Sequence, residues 1–229
     1  MKINELNNEY TAVIGLGYWC DVAGHLKNHN LRTFSGPFDW VLTPSLSDIN
    51  RVLEARFEGY MDMNNLEFIA HGEIALDDND QVMDSVHRTN IIRDKYYRIT
   101  SVHDFPLQQG QDWKVDYLSF KAKLERRINR FLDICRSASS LLFIRLEATI
   151  EETIRLYEIL SGLCGGQVHL LTINTVEGLN HLRENDLGIE GNVFMEIPLI
   201  SSGNFHNLAD VKHSNPHDWD LILRNIKVT

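Results

Sequence analysis

From about residue 117 onward the chain alternates helical and extended periodicity, and no other feature restricts its possible folds so strongly. Leu124, Ile128, Phe131, Leu132 and Cys135 form one apolar stripe of a helix expected over 117–138, with charges opposite. A strand is expected over 141–146, then a helix over 151–163 and a strand over 168–173. A short helix near 176–184, a strand over 193–197 and a last helix around 219–225 complete the pattern. Strands recurring between helices predict a mostly parallel sheet covered on both faces. The expected class is α/β: a single domain over 1–229, its central sheet the middle of three layers.

The first half carries a second local signature. Ala12-Val13-Ile14 reads as a buried strand within 10–17, and Gly15-Leu16-Gly17 lets the chain turn tightly. From Cys20, the residues Val22, Ala23 and Leu26 suit a short helix ending near 28–30. Ser35-Gly36-Pro37 breaks the chain, and Thr43-Pro44-Ser45 introduces a helix carrying Leu46, Ile49, Leu53 and Phe57. Residues 59–95 read as a loop-rich insertion with short strands around 67–69 and 73–76. A strand over 96–102 then delivers His103-Asp104-Phe105-Pro106 at its end. Parallel sheets place working residues at the carboxyl ends of strands, and Cys20 and His103 are both expected there.

Thiolate chemistry needs a lowered thiol pKa, a base and donors for a developing oxyanion. A cysteine at a helix start draws on the macrodipole and on unpaired backbone N–H groups. Cys20 after a glycine turn has the logic of a nucleophile elbow, with Cys in place of Ser. Free cysteines are otherwise small buried hydrophobes, the reading given to Cys135 and Cys164. His103 is the preferred base. Asp104 orients it only if the chain turns between them, because adjacent strand residues face opposite ways. Asp39, between Phe38 and Trp40, is the competing carboxylate.

Gly15-Leu16-Gly17-x-x-Cys20-x-x-Ala23, Leu31-Arg32-x-Phe34-Ser35-x-Pro37-Phe38-Asp39-Trp40 and His103-Asp104-Phe105 carry a resemblance. So do Arg126-Arg127-Ile128-x-Arg130-Phe131, Leu142-Phe143-Ile144-Arg145 and, more faintly, Asp218-Trp219-Asp220. Together they resemble a family of bacterial proteins of unknown function catalogued as "putative papain-like cysteine peptidases". The resemblance implies Cys20 as nucleophile, His103 as base and Asp104 as orienting acid. The sequence departs from the family just before the cysteine, where Tyr18 and Trp19 are bulky. They would wall a substrate pocket or fill the space that an acyl group needs.

Gly17, Asp39, Trp40 and Arg145 are the expected binding residues around that site. Arg145 ends an apolar strand, so either a buried acidic partner or a substrate carboxylate or phosphate is expected at its fork. Arg126, Arg127 and Arg130 beside Glu125 and Asp133 read as a solvated helix face. His213 and His217 have helical ligand spacing, but Pro216 lies inside the interval, and no metal site is expected even with His206 nearby. The acidic run Asp77-Asp78-Asn79-Asp80 lacks the ligand spacing of a calcium loop and reads as a turn. Gly15-x-Gly17 has Cys20 where a dinucleotide fingerprint needs its third glycine. No metal or cofactor is expected.

With 22 basic residues against 32 acidic, the net charge is −10. That repels phosphate backbones and anionic membranes and attracts a basic partner. The polar start carries no apolar run, no stretch is long enough to span a membrane, and three cysteines cannot all pair. A cytoplasmic protein with reduced thiols is expected. The leading expectation is a cysteine-dependent hydrolase or acyl transferase, peptidase- or amidase-like, acting on a peptide or acyl substrate. The alternative is a non-catalytic acidic protein that holds a basic partner, as a toxin-neutralising immunity protein does. A third reading, a sugar- or nucleotide-modifying transferase, would gain from a pocket in which Arg145 points at a phosphate.

Overall fold

The computed structural model describes residues 2–76, 81–82 and 88–229. In chain order its elements are β1 (Glu9–Tyr10), β2 (Ala12–Gly15), α1 (Asp21–Asn28), β3 (Val41–Leu42), α2 (Leu46–Glu54), β4 (Leu66–Gly72), β5 (Thr89–Asp94) and β6 (Ile99–Pro106). There follow α3 (Tyr117–Ser137), β7 (Ser140–Leu146), α4 (Ile150–Leu163), β8 (Gln167–Val176), β9 (Arg183–Asn185), β10 (Asn192–Phe205), β11 (Ala209–Ser214), α5 (Pro216–Leu223) and β12 (Lys227–Val228).

Strands β2, β7, β8 and β10 lie side by side in that order and pair in parallel, as the alternation of elements predicts. Strands β9 and β11 extend the sheet antiparallel to β10, while β1 and β12 pair with each other. Period-two alternation sorts the strand residues into two cores. Ala12, Ile14, Leu141, Phe143 and Leu170 pack with Ile49 and Leu53 of α2, Phe131 of α3 and Leu156 of α4. Their neighbours Val13, Leu142, Ile144, Leu171 and Ile173 pack with Val22 and Leu26 of α1 and Trp219 and Ile222 of α5. Each such buried side chain contributes roughly 1.5–3 kcal/mol, so Phe143→Ala would cost about 3–5 kcal/mol.

A second sheet was legible only in part: the strand expected over 67–69 lies inside β4 and that expected over 96–102 overlaps β6, whereas β5 was not expected. Strands β3, β6, β5 and β4 form an antiparallel ladder in that order, built largely from the stretch expected to be a loop-rich insertion. Register shifts between Phe68 and Ala70 and between Asn90 and Ile92 interrupt the alternation that marks a half-buried strand. The strand expected over 96–102 starts only at Ile99, because Asp94 accepts the N–H groups of Tyr96 and Tyr97 and closes a turn there. His103 therefore lies inside an antiparallel strand and not at the end of a parallel one.

Two further expectations change. No helix forms over 176–184: β8 runs on to Val176, and Gly178 turns at φ +75° before β9. The short strand expected at 73–76 is absent except for a single bridge between Leu76 and Val82. The run Asp77–Asp80 lies outside the described residues. As expected, no helix spans His213 to His217: β11 runs to Ser214, and Pro216 opens α5 at its first position, with Asn215 accepting the His217 N–H. Among the described residues no helix is long and apolar enough to cross a membrane.

Candidate functional site

The turn from β2 into α1 delivers Cys20, and it is held under strain. Gly17 takes φ +76°, and a Cβ there would sit 2.9 Å from the Thr43 hydroxyl. Tyr18 follows at φ +88°, a conformation costing on the order of 1–3 kcal/mol for a side-chain-bearing residue. Several bonds hold it there. The Tyr18 N–H donates to Thr43 Oγ1 at 2.8 Å, and the Thr43 N–H donates back to the Tyr18 carbonyl at 3.0 Å. The buried phenol, its pKa pushed up to about 12 chiefly by burial and further by Glu147, stays protonated and donates to the Asp210 carbonyl at 2.6 Å. Trp19 turns the other way, its ring edge-on to Phe205 at 4.6 Å.

Arg145 lies beneath this turn, fully buried. Its guanidinium donates to the Leu16 carbonyl, to Thr43 Oγ1 at 2.6 Å, to the Thr43 carbonyl at 2.7 Å and to the Glu147 carbonyl. The fork is thus spent on backbone oxygens and a hydroxyl. Among the described residues no carboxylate takes it, so the buried acidic partner expected for Arg145 is not found, and its donors bind backbone oxygens and Thr43 instead. Burial also lowers its pKa to about 10, partly opposed by Glu152 and Tyr18.

Cys20 sits immediately before the first turn of α1, half-buried, with Sγ 3.2 Å from Nε2 of His103. The other ring nitrogen, Nδ1, lies 2.8 Å from the carbonyl of Ile74. A carbonyl only accepts, so Nδ1 carries the hydrogen and Nε2 presents its lone pair to the thiol. The backbone reinforces the contact, the Leu76 N–H donating to the His103 carbonyl at 3.0 Å. The Trp40 ring lies 5.8 Å from the imidazole in a T-shaped contact, and the Arg32 guanidinium stands over the indole. Burial pushes the Cys20 thiol above its ordinary range, and Asp21, Asp104 and Asp39 add to the effect. The resting cysteine is a neutral thiol beside a base.

The two carboxylates do other work. Asp104 follows His103 on an extended strand and faces the opposite way, toward α3. There it meets Lys123 at 2.9 Å and Arg127 at 3.1 Å and accepts from Ser101 at 3.0 Å. Burial alone would raise its pKa; Arg127 and Lys123 outweigh that and hold it at about 2. The chain does not turn between His103 and Asp104, so the orienting role expected for Asp104 is corrected. Asp39 is buried with Arg32 at 2.8 Å and the Gly36 N–H at 2.8 Å. It closes the turn that carries Trp40, and burial raises its pKa although Arg32 opposes the rise.

Four contributors were missed or misread in the sequence. Lys123 and Arg127, a helical step of four apart beside the Leu124 and Ile128 stripe, are buried and not part of a solvated face. Their position along the edge of that stripe was the available signal. Thr43, read as a helix start, is the hub between Tyr18 and Arg145. Ile74 acts through its carbonyl, which no sequence motif marks. His213, set aside as a ligand, lies 3.5 Å from Asp21.

The family model described as "Putative papain-like cysteine peptidase (DUF1796)" matches residues 11–175, a span containing Cys20, His103, Arg127 and Arg145. The chain belongs to this family. A relative named "Uncharacterized protein R408", from Acanthamoeba polyphaga mimivirus, is 31% identical over 144 residues, covering 60% of this chain. The chain spans 62% of that relative's length. This relative is viral, whereas the resemblance was to bacterial proteins. No solved structure matches the chain.

Proposed function

We propose that the protein is a cysteine-dependent hydrolase or acyl transferase, with Cys20 as nucleophile, His103 as base and an amide or ester carbonyl as the group attacked. The observation that carries this reading is the 3.2 Å approach of Cys20 Sγ to His103 Nε2, with Nδ1 tied to the Ile74 carbonyl. His103 takes the thiol proton as Sγ bonds the carbonyl carbon. It returns that proton to the leaving nitrogen or oxygen as the scissile bond breaks. N–H groups at the start of α1, which the helix itself leaves without partners, are the donors assigned to the developing oxyanion. Water then hydrolyses the thioester, or a second nucleophile accepts the acyl group. A backbone carbonyl, in place of a carboxylate, holds the tautomer, a role that carbonyls also fill for metal-bound histidines. Family membership supports the peptidase-like class.

The test is acylation by p-nitrophenyl acetate, followed by mass spectrometry. An acyl adduct on Cys20, lost in Cys20→Ser and strongly slowed in His103→Ala, is the expected result. If Cys20 stays unmodified while the protein is folded, the reading fails and a binding role for the acidic surface takes its place. Residues 1–229 are read as one domain with the parallel sheet as the middle of three layers, supported by the separate cores on its two faces. A cytoplasmic location is part of the same proposal.

A further inference from the structure

Two cysteines lie away from the Cys20 site and have no part in the chemistry proposed for it. Cys135 ends the apolar stripe of α3 and is fully buried, while Cys164 caps the C-terminus of α4 and is partly exposed. The two helix ends are joined at this point. The Gly165 N–H donates to the Cys135 carbonyl at 2.9 Å, and Cys164 packs against the core cluster that contains Cys135. Gly165 is needed for so close an approach, since a Cβ there would lie 2.6 Å from the Arg136 carbonyl oxygen. The contact brings the side chains of residues 135 and 164 to the same junction of the two helix ends.

We propose that Cys164 is a site of oxidative modification and that Cys135 resolves it, so that the pair closes reversibly into a disulfide between the ends of α3 and α4. The two thiols differ in accessibility and in acidity. The neighbouring Cys164 thiol raises the Cys135 pKa, and burial adds to the rise. The same pairing lowers that of Cys164 against the opposing effect of its own burial. Cys164, the accessible member, is the one that an oxidant reaches first, as a sensor thiol next to a resolving thiol requires.

The chemistry balances with a peroxide as oxidant. The Cys164 thiolate attacks one peroxide oxygen; the S–O bond forms, the O–O bond breaks, and hydroxide leaves. Sulfur is oxidised to the sulfenic acid and the peroxide oxygen is reduced. The Cys135 sulfur then attacks the Cys164 sulfur, the S–S bond forms and the S–O bond breaks. The departing hydroxide takes the Cys135 proton and leaves as water. Two thiols and one hydrogen peroxide thus give one disulfide and two waters, and a thiol reductant reverses the change by exchange.

The experiment treats the reduced full-length protein, carrying Cys20→Ala to remove the third thiol, with hydrogen peroxide. It is then digested without reductant and mapped by mass spectrometry. The expected product is a peptide pair joined through Cys135 and Cys164, lighter by two hydrogens and released by dithiothreitol. In Cys135→Ser the expected product is a sulfenic acid at Cys164 that dimedone traps. In Cys164→Ser, Cys135 should stay unmodified. Joined peptides that appear only after the protein has been unfolded, or first oxidation at Cys135, would overturn the proposal. The wild-type linkage needs no substitution at either cysteine, so a poorly folded variant cannot decide the outcome.

Discussion

His103 directs its Nδ1 hydrogen to the carbonyl of Ile74, 2.8 Å away, while Asp104, its neighbour in sequence, faces Lys123 and Arg127 across the sheet. The apparent His-Asp pair is thus split between two environments. Asp104→Asn is expected to destabilise the protein by about 3 kcal/mol, because two buried cations lose their counter-charge. In the fraction that stays folded, the His103-dependent part of Cys20 alkylation should persist. Denaturant titration and iodoacetamide kinetics read the two effects separately. A loss of alkylation as large as that in His103→Ala would restore Asp104 to the orienting role.

Acid should weaken the same cluster. The folded Asp104 pKa of about 2 lies below the ordinary value of 3.8, so its stabilisation is present above the unfolded pKa. It is lost as pH falls from about 4 toward 2, and its size is on the order of 2 kcal/mol. The stability gap between wild type and Asp104→Asn should narrow over that window and stay constant above it. A gap unchanged at low pH would mean that the ion cluster does not hold Asp104 ionised.

Cys20 rests as a thiol, since burial and the nearby carboxylates raise its pKa. Its alkylation rate should therefore climb with pH through the neutral range and show no acidic plateau. His103→Ala should slow it at neutral pH by roughly 10²-fold, the lower end of general-base assistance. Rates measured from about pH 5 to 9 decide the matter. A plateau at the acidic end would mean a preformed thiolate–imidazolium pair.

Thr43 joins the strained turn to Arg145. Thr43→Val keeps the shape and removes the hydroxyl that accepts the Tyr18 N–H and an Arg145 N–H. The expected cost is about 2–3 kcal/mol, as a buried cation donor and a backbone donor lose their acceptor. Cys20 acylation should fall along with it, because Tyr18 at φ +88° is held in place by that hydroxyl. Unchanged acylation in a destabilised variant would place Thr43 in folding alone.

The elements that local periodicity marks were found nearly where they lie. The α3 stripe, the β7 and β8 runs and the strand–turn–helix that carries Cys20 are each written within about twenty neighbouring residues. In the second sheet, β5 and the pairing of the strands were hidden, because register shifts erase the alternation that identifies a strand. Arg127 looked solvated because its place, like that of Lys123, at the edge of the α3 stripe is only a weak local signal, and the carboxylate they face lies 23 and 19 residues upstream.

What the sequence determined alone is the parallel α/β frame and the placement of a cysteine at a helix start. Both follow from the residues that occupy successive positions of one element. What only the tertiary structure decided is which groups meet at that cysteine. His103 is 83 residues away from Cys20, and the group that orients it is a backbone carbonyl 29 residues before it. Every residue carries such a carbonyl, so its role is set by packing of the second sheet against the turn and leaves no mark in the identity of residue 74.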